Sequence, residues 1–444
     1  MKPLEHIFLA TVKGFDTSLN QHMPASTFRD FNIWAFSEQN PHQKAWLQII
    51  GIPQFAKLTD TLLGGSVSPD KWDELVRYTT IMNNYLIYET ISDNLAFGLS
   101  DHREDDLTYE LRREVLIGFN CAMIARLEGR VIESQKILET IKPVAEQLSG
   151  FEQSLTASEQ KAIAELFLKE HPDRDYRLED IEFGTWNALV ANIESCEDVI
   201  EATRGFRLNG HLREGLIRRY AAVNELLYQN VNDREKLLKI STDTILVVPV
   251  LCYYILVLTE ALDPNPKLDE VLASGHLCQA LEDAALMVRL LNDIGTNLVV
   301  TDEFQRRLID DLYKEFSMGI SKPSARFSHL LMKHSEQDGF MTRIRKDLSY
   351  GEFNVSLHDL ITAPCSLTSL LLFGDNLLYY KQQYKVRQNR LKDNLKQIEA
   401  ILGDGITSGL IHKFVYFHER VYQYQFDQQA GDYATKPDLA VVGN

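Results

Sequence analysis

Two sets of oxygen-bearing side chains fall at helical spacing on faces that should be apolar. Leu75, Thr79, Met82 and Leu86 recur every three to four residues, the pattern of a side turned to the core, and the same spacing continues into Glu89 and Asp93. A carboxylate on such a face is costly unless it is paired, protonated or bound to a metal ion. The second set lies in 281–300, which is apolar on nearly every side and reads as one helix buried in the middle of the fold. Arg289, Asn292, Asp293 and Thr296 form a single polar stripe along it, with Glu282 two turns before Arg289 on the same side.

An amide carbonyl, a hydroxyl and a carboxylate one turn apart are hard oxygen donors. They suit Mg²⁺, which keeps several waters and shares its remaining positions with substrate phosphates. Two facing carboxylates from another helix would complete such a cradle. Each set also has a plainer explanation. A bend near residue 88 would return Glu89 and Asp93 to solvent, or a Lys or Arg from another helix would pair with them. The stripe on 281–300 would equally serve an interhelical hydrogen-bond network with no ligand.

The elements that must carry these residues are helices. Leu, Ala, Glu, Lys and Gln dominate long stretches of the 444-residue chain, and period-two runs of β-branched residues are scarce. An all-α fold follows, with 45% apolar content ample for one large core. Residues 1–66 read as an irregular helical lead-in, broken near Pro24, Pro41, Pro53 and Gly64-Gly65. A large helical domain spans 67–427, a single bundle without internal repeats, in which 149–180 reads as an insertion and 428–444 as a flexible tail. Ser68-Pro69 opens the first clear helix, which runs to about residue 97, and Asp101–Asp106 reads as a charged loop. Thr156 with Glu159 makes a capping box, and Asn232-Asp233 caps a helix leading into the apolar run 245–258. That run contains Pro249 and is well short of the ~20 residues that span a bilayer, so it reads as a kinked core helix. Gly275 parts two helices within 267–317.

The formal charge of -17 is spread along the chain, which argues against a nucleic-acid surface because phosphate binding needs basic patches. An anionic ligand would need a local inversion of this field, for which divalent metal ions are the usual device. Five widely spaced cysteines without a C-x-x-C pair suggest neither a disulfide framework nor a zinc site. With an N-terminus that fails as a signal peptide, they predict a cytoplasmic protein. The oligomeric state is left open, a homodimer included.

The stretch Arg289-Leu-Leu-Asn292-Asp293-Ile-Gly-Thr296 resembles the second metal motif of class I terpene synthases, (N/D)D-x-x-(S/T)-x-x-x-E. Tyr85-Leu-Ile-Tyr88-Glu89-Thr90-Ile-Ser-Asp93 is similar to a worn form of the same family's aspartate-rich D-D-x-x-D motif, and the two follow in the family's order. Lys239-Ile-Ser-Thr242 stands where the family places a diphosphate-sensing Arg-x-x-Thr, and Tyr384 with Arg387 is the nearest match to its C-terminal Arg-Tyr pair. Departures are plain: Val300 replaces the last Glu of the second motif, with Asp302 or Glu303 as stand-ins, and Thr90 replaces an Asp of the first. The resemblance covers about 70–390 and implies the isoprenoid synthase fold. It implies Mg²⁺ held by Glu89, Asp93, Asn292 and Thr296, with Asp293 in the catalytic set. Lys239, Arg289 and Arg387 would bind the diphosphate, and Tyr85 and Tyr88 would line the substrate pocket. The activity implied is ionisation of a prenyl diphosphate, farnesyl or geranylgeranyl, to a terpene hydrocarbon or alcohol.

The same residues allow a second reading, a non-catalytic protein of that fold that binds a prenyl ligand or a protein partner; Val300 and Thr90 favour it. A dimetal oxidase bundle needs Glu-x-x-His pairs, and none of the twelve histidines follows a Glu by three.

Overall fold

A computed structural model of the chain describes residues 2–96, 98–99, 107–130, 133–151, 156–228, 231, 233–319, 325–337 and 339–423. The tail 428–444, the charged segment 101–106 and Asn232 lie outside the described residues. Those described form helices joined by turns and irregular segments, without a strand, apart from one isolated bridge between Arg326 and Pro364. The chain divides into two compact units, Met1–Ala285 with Leu391–Phe414, and Leu286–Arg390 with Val415–Asn444. The sequence reads as one domain because no composition shift or linker marks either division.

In the first unit the Trp72–Leu95 helix is central. It packs against Pro3–His22 on one side and Thr185–Glu201 on another. Its middle is therefore buried almost all round: Met82, Asn83, Tyr85, Leu86, Ile87, Tyr88 and Glu89 are all inside. The lead-in is more regular than its scattered prolines suggest, opening with the twenty-residue Pro3–His22 helix, in which Pro3 sits in the first turn where no backbone N–H is needed. Together with the Ala157–Glu170 helix of the apparent insertion it builds an aromatic core from Phe15, Phe31, Trp34, Phe36, Trp46 and Phe167. Burying each such side chain contributes about 1.5–3 kcal/mol. Thr156 does precede Ala157–Glu170, but its side chain makes no cap bond, and Glu159 accepts from Ser158 Oγ at 2.8 Å instead.

Asp233 caps Arg234–Asp243, accepting from the Lys236 N–H at 2.6 Å. The kink expected at Pro249 lies just before it: the chain bends 45° between Asp243 and Val247, and Pro249 falls in the first turn of Val247–Leu256, where its missing donor costs nothing. That helix widens into a π turn, Val257–Leu262, whose Glu260 carboxylate accepts from the Arg207 and Leu208 N–H groups. Among the described residues no single helix is long and apolar enough to cross a membrane, although this bent pair together would pass by length and composition.

In the second unit the end of His276–Ile294, then Thr296–Val300, Asp302–Ser317, Phe327–Gln337 and Thr342–Tyr350, precede Leu367–Leu402, which starts here. The continuous helix expected over 281–300 is broken at Gly295, whose φ of 89° lies in the region that glycine alone adopts without strain.

Candidate functional site

Glu89 and Asp93 lie in the first unit, on the last turns of Trp72–Leu95. Glu89 is 2% exposed, whereas Asp93, one turn on, is 64% exposed at the surface end of the same face. The Asn209–Tyr228 helix buries Leu212, Leu216 and Tyr220 and places Arg219 on the same inward side. Arg219 Nη2 lies 3.2 Å from Glu89 Oε2 and 2.9 Å from Asp93 Oδ1, bridging the two carboxylates. Glu89 Oε1 accepts from Tyr220 OH at 2.6 Å and from Asn192 Nδ2 at 2.9 Å. Because the Tyr220 proton is spent on Glu89, Tyr85 OH is the donor of the 2.8 Å contact between the two phenols.

Burial, and then the charge of Glu89, push both phenols well above their usual range, so Tyr85 and Tyr220 remain protonated donors. Burial works against the Arg219 charge, but Glu89 and Asp93 outweigh it and hold the guanidinium charged. Tyr88 instead turns to the aromatic core, 4.8 Å from the Phe15 ring, and accepts from Ser18. Lys239 is exposed on Arg234–Asp243, where its charge acts on Asp243.

The second cluster lies in the second unit, at the helix end before Gly295. Asp293 is fully buried. Arg289 holds it in a fork, Nε to Oδ2 at 3.1 Å and Nη2 to Oδ1 at 2.6 Å, and the Val355 N–H donates to Oδ2 at 2.9 Å. Arg343, from Thr342–Tyr350, holds Asn292 at both oxygens: Nε donates to the backbone carbonyl at 2.7 Å and Nη2 to the side-chain oxygen at 2.5 Å. Asn354 Nδ2 reaches the Asp293 carbonyl at 2.7 Å and Asp347 Oδ2 at 2.6 Å. Lys346 Nζ lies 2.8 Å from Asp347 and 2.5 Å from Glu352. Burial raises the Asp347 carboxyl to about 6, with Asp293 and Glu352 adding to the rise and Lys346 and Arg343 opposing it.

Thr296 does not continue the stripe. The break at Gly295 makes it the first residue of Thr296–Val300, where its hydroxyl donates to the Glu419 carbonyl at 2.6 Å and its N–H to the Tyr422 carbonyl at 3.3 Å. Asp302, a stand-in for the missing Glu, is paired with Lys381 at 2.6 Å and Lys385 at 3.5 Å. Arg387 is half-buried on Leu367–Leu402, and the nearby Tyr384 hydroxyl donates to the Glu419 carboxylate.

As placed, these residues do not fit a metal. Glu89, Asp93, Asn292 and Asp293 each have an oxygen held by a guanidinium of the chain, and Thr296 spends its hydroxyl proton on the Glu419 carbonyl. Among the described residues no group of three or more His, Cys, Asp or Glu side chains is placed to hold an ion. The partners that close the clusters, Arg219, Asn192, Arg343 and Asn354, went unnoticed in the sequence. A signal for Arg219 was present: seven residues after Leu212 and three after Leu216, it is as misplaced on its apolar face as Glu89 is on its own.

Comparison with known proteins gives no match to any family model, curated protein or solved structure.

Proposed function

We propose that this chain is a non-catalytic helical protein that acts by binding a prenyl ligand or a protein partner, its two metal-like motifs serving as internal ion-pair networks. The observation that carries this reading is the Arg343 clamp on Asn292. The side-chain oxygen that the resemblance assigns to a metal already accepts a charge-assisted hydrogen bond, and recruiting it would leave a buried guanidinium donor unsatisfied, a cost of about 1–3 kcal/mol. Glu89 and Asp293 are engaged in the same way by Arg219 and Arg289.

The test is release of diphosphate from farnesyl and geranylgeranyl diphosphate by the purified protein, with and without Mg²⁺, alongside gas chromatography of an organic extract. The expected outcome is no release with either substrate at protein concentrations near that of the substrate. Metal-dependent release with a discrete hydrocarbon or alcohol would instead establish the second reading, an Mg²⁺-dependent terpene synthase. One observation favours that alternative: Asp93 is largely exposed, so the acidic end of the first motif faces solvent.

A further inference from the structure

The first cluster has the charge pattern of a cation site and already contains a cation. Two carboxylates one helical turn apart converge on a single nitrogen, Arg219 Nη2, at 3.2 and 2.9 Å. Mg²⁺ binds oxygen at about 2.0–2.1 Å, so an ion shared by the same two oxygens would need the space that this nitrogen fills. The other Glu89 oxygen, Oε1, is held by two neutral donors, Tyr220 OH at 2.6 Å and Asn192 Nδ2 at 2.9 Å, which add no charge to the cluster. The two carboxylate oxygens suit a hard cation, and the positive charge that lies between them is covalently part of the chain.

We propose that the Arg219 guanidinium is the resident cation of the Glu89–Asp93 cluster, so that the wild-type fold needs no metal here and removal of Arg219 turns the cluster into a divalent-cation site. This inference rests on the non-catalytic reading, but it is read out by cation binding and folding stability, so it can fail while that reading stands. Glu89 is the residue that makes it necessary. A buried carboxylate is costly without a counter-charge, and Glu89, 2% exposed, has the 6% exposed Arg219 in contact with it.

The experiment uses the full chain: thermal denaturation and isothermal titration with MgCl2, on wild type, Arg219→Met, and Arg219→Met combined with Glu89→Gln. Wild type is expected to show no saturable Mg²⁺ binding that depends on Glu89. Arg219→Met should lose roughly 3–8 °C in melting temperature. About 10 mM Mg²⁺ should then return about 2 °C of it, as a millimolar site would. Adding Glu89→Gln should abolish the Mg²⁺ response and recover most of the loss. A wild-type melting temperature that rises with Mg²⁺, and ceases to rise in Glu89→Gln, would overturn the proposal. So would an Arg219→Met protein indifferent to Mg²⁺. Should Arg219→Met fail to fold, Arg219→Lys retains a cation and must stay insensitive to Mg²⁺; a Mg²⁺-dependent rise in that variant counts against the assignment.

Discussion

Arg343 and Asn292 are joined at two points, through the backbone carbonyl at 2.7 Å and the side-chain oxygen at 2.5 Å. The carbonyl belongs to the last turn of His276–Ile294, where helical carbonyls lack partners of their own, and a guanidinium there also complements the helix dipole. Lysine has the charge but not the fork. Arg343→Lys is therefore expected to lose about 1–3 kcal/mol, read from the urea midpoint, and Arg343→Ala more, since the guanidinium also lies 4.6 Å from the Tyr422 ring centre.

Gly295 should resist substitution because of strain rather than crowding. An added Cβ would meet Arg343 Cγ at 3.4 Å, an ordinary contact, but φ is 89° with ψ at 149°. Gly295→Ala is expected to cost about 1–3 kcal/mol. Gly275, with φ 76° and ψ -8°, lies near the left-handed helical region and has open space around it, so Gly275→Ala should cost about 1–2 kcal/mol. Thermal denaturation of the two variants should rank Gly295→Ala as the worse; the reverse order would refute this account of the break.

Removing Arg289 alone leaves the Asp293 carboxylate buried with no cation in its fork. Arg289→Met should destabilise by about 3–5 kcal/mol, whereas Arg289→Met with Asp293→Asn should recover much of that because no charge is left stranded. Denaturant titration of both proteins decides the point.

Asp347 predicts a pH dependence. Its folded carboxyl, raised to about 6 from an ordinary value of 3.8, binds a proton more tightly in the folded protein than in the unfolded one. Its contribution to stability is full below about pH 3.8 and is lost as pH rises toward 6. The difference in melting temperature, wild type minus Asp347→Asn, should therefore fall across that window and level off above it; a difference that rises would contradict the shift.

Helical character, the cap at Asp233 and the break at Gly275 were legible because each is signalled within a few residues. Gly295 was not, since apolar residues on both sides continue the periodicity and only the backbone conformation reveals the stop. Ser68, expected to cap the first clear helix, makes no side-chain cap bond and precedes a 3-10 turn, Pro69–Lys71, with the α-helix starting at Trp72. Glu89 could be recognised as an inward carboxylate from its own helix. Its partners could not, because Asn192 and Arg219 come from elements more than 100 positions away, and one helix's pattern cannot say which cation will face it. The same limit applies at Asn292, where a choice between metal and network depended on Arg343, 51 positions on. The two explanations weighed for each cluster differ only in that missing partner.

Neutralisation inside the clusters leaves the excess of acidic groups to the outer surface, which bears on how the protein behaves as a colloid. Buried pairs such as Arg289 with Asp293 are little screened by dissolved ions, while the formal charge of -17 sets a long-range repulsion between molecules that salt readily weakens. Near the isoelectric point of about 5.2 that repulsion vanishes, yet most paired carboxylates still keep their partners. Acidification should thus bring molecules together as folded particles, producing turbidity that redissolves on returning to neutral pH, before it brings any of them to unfold.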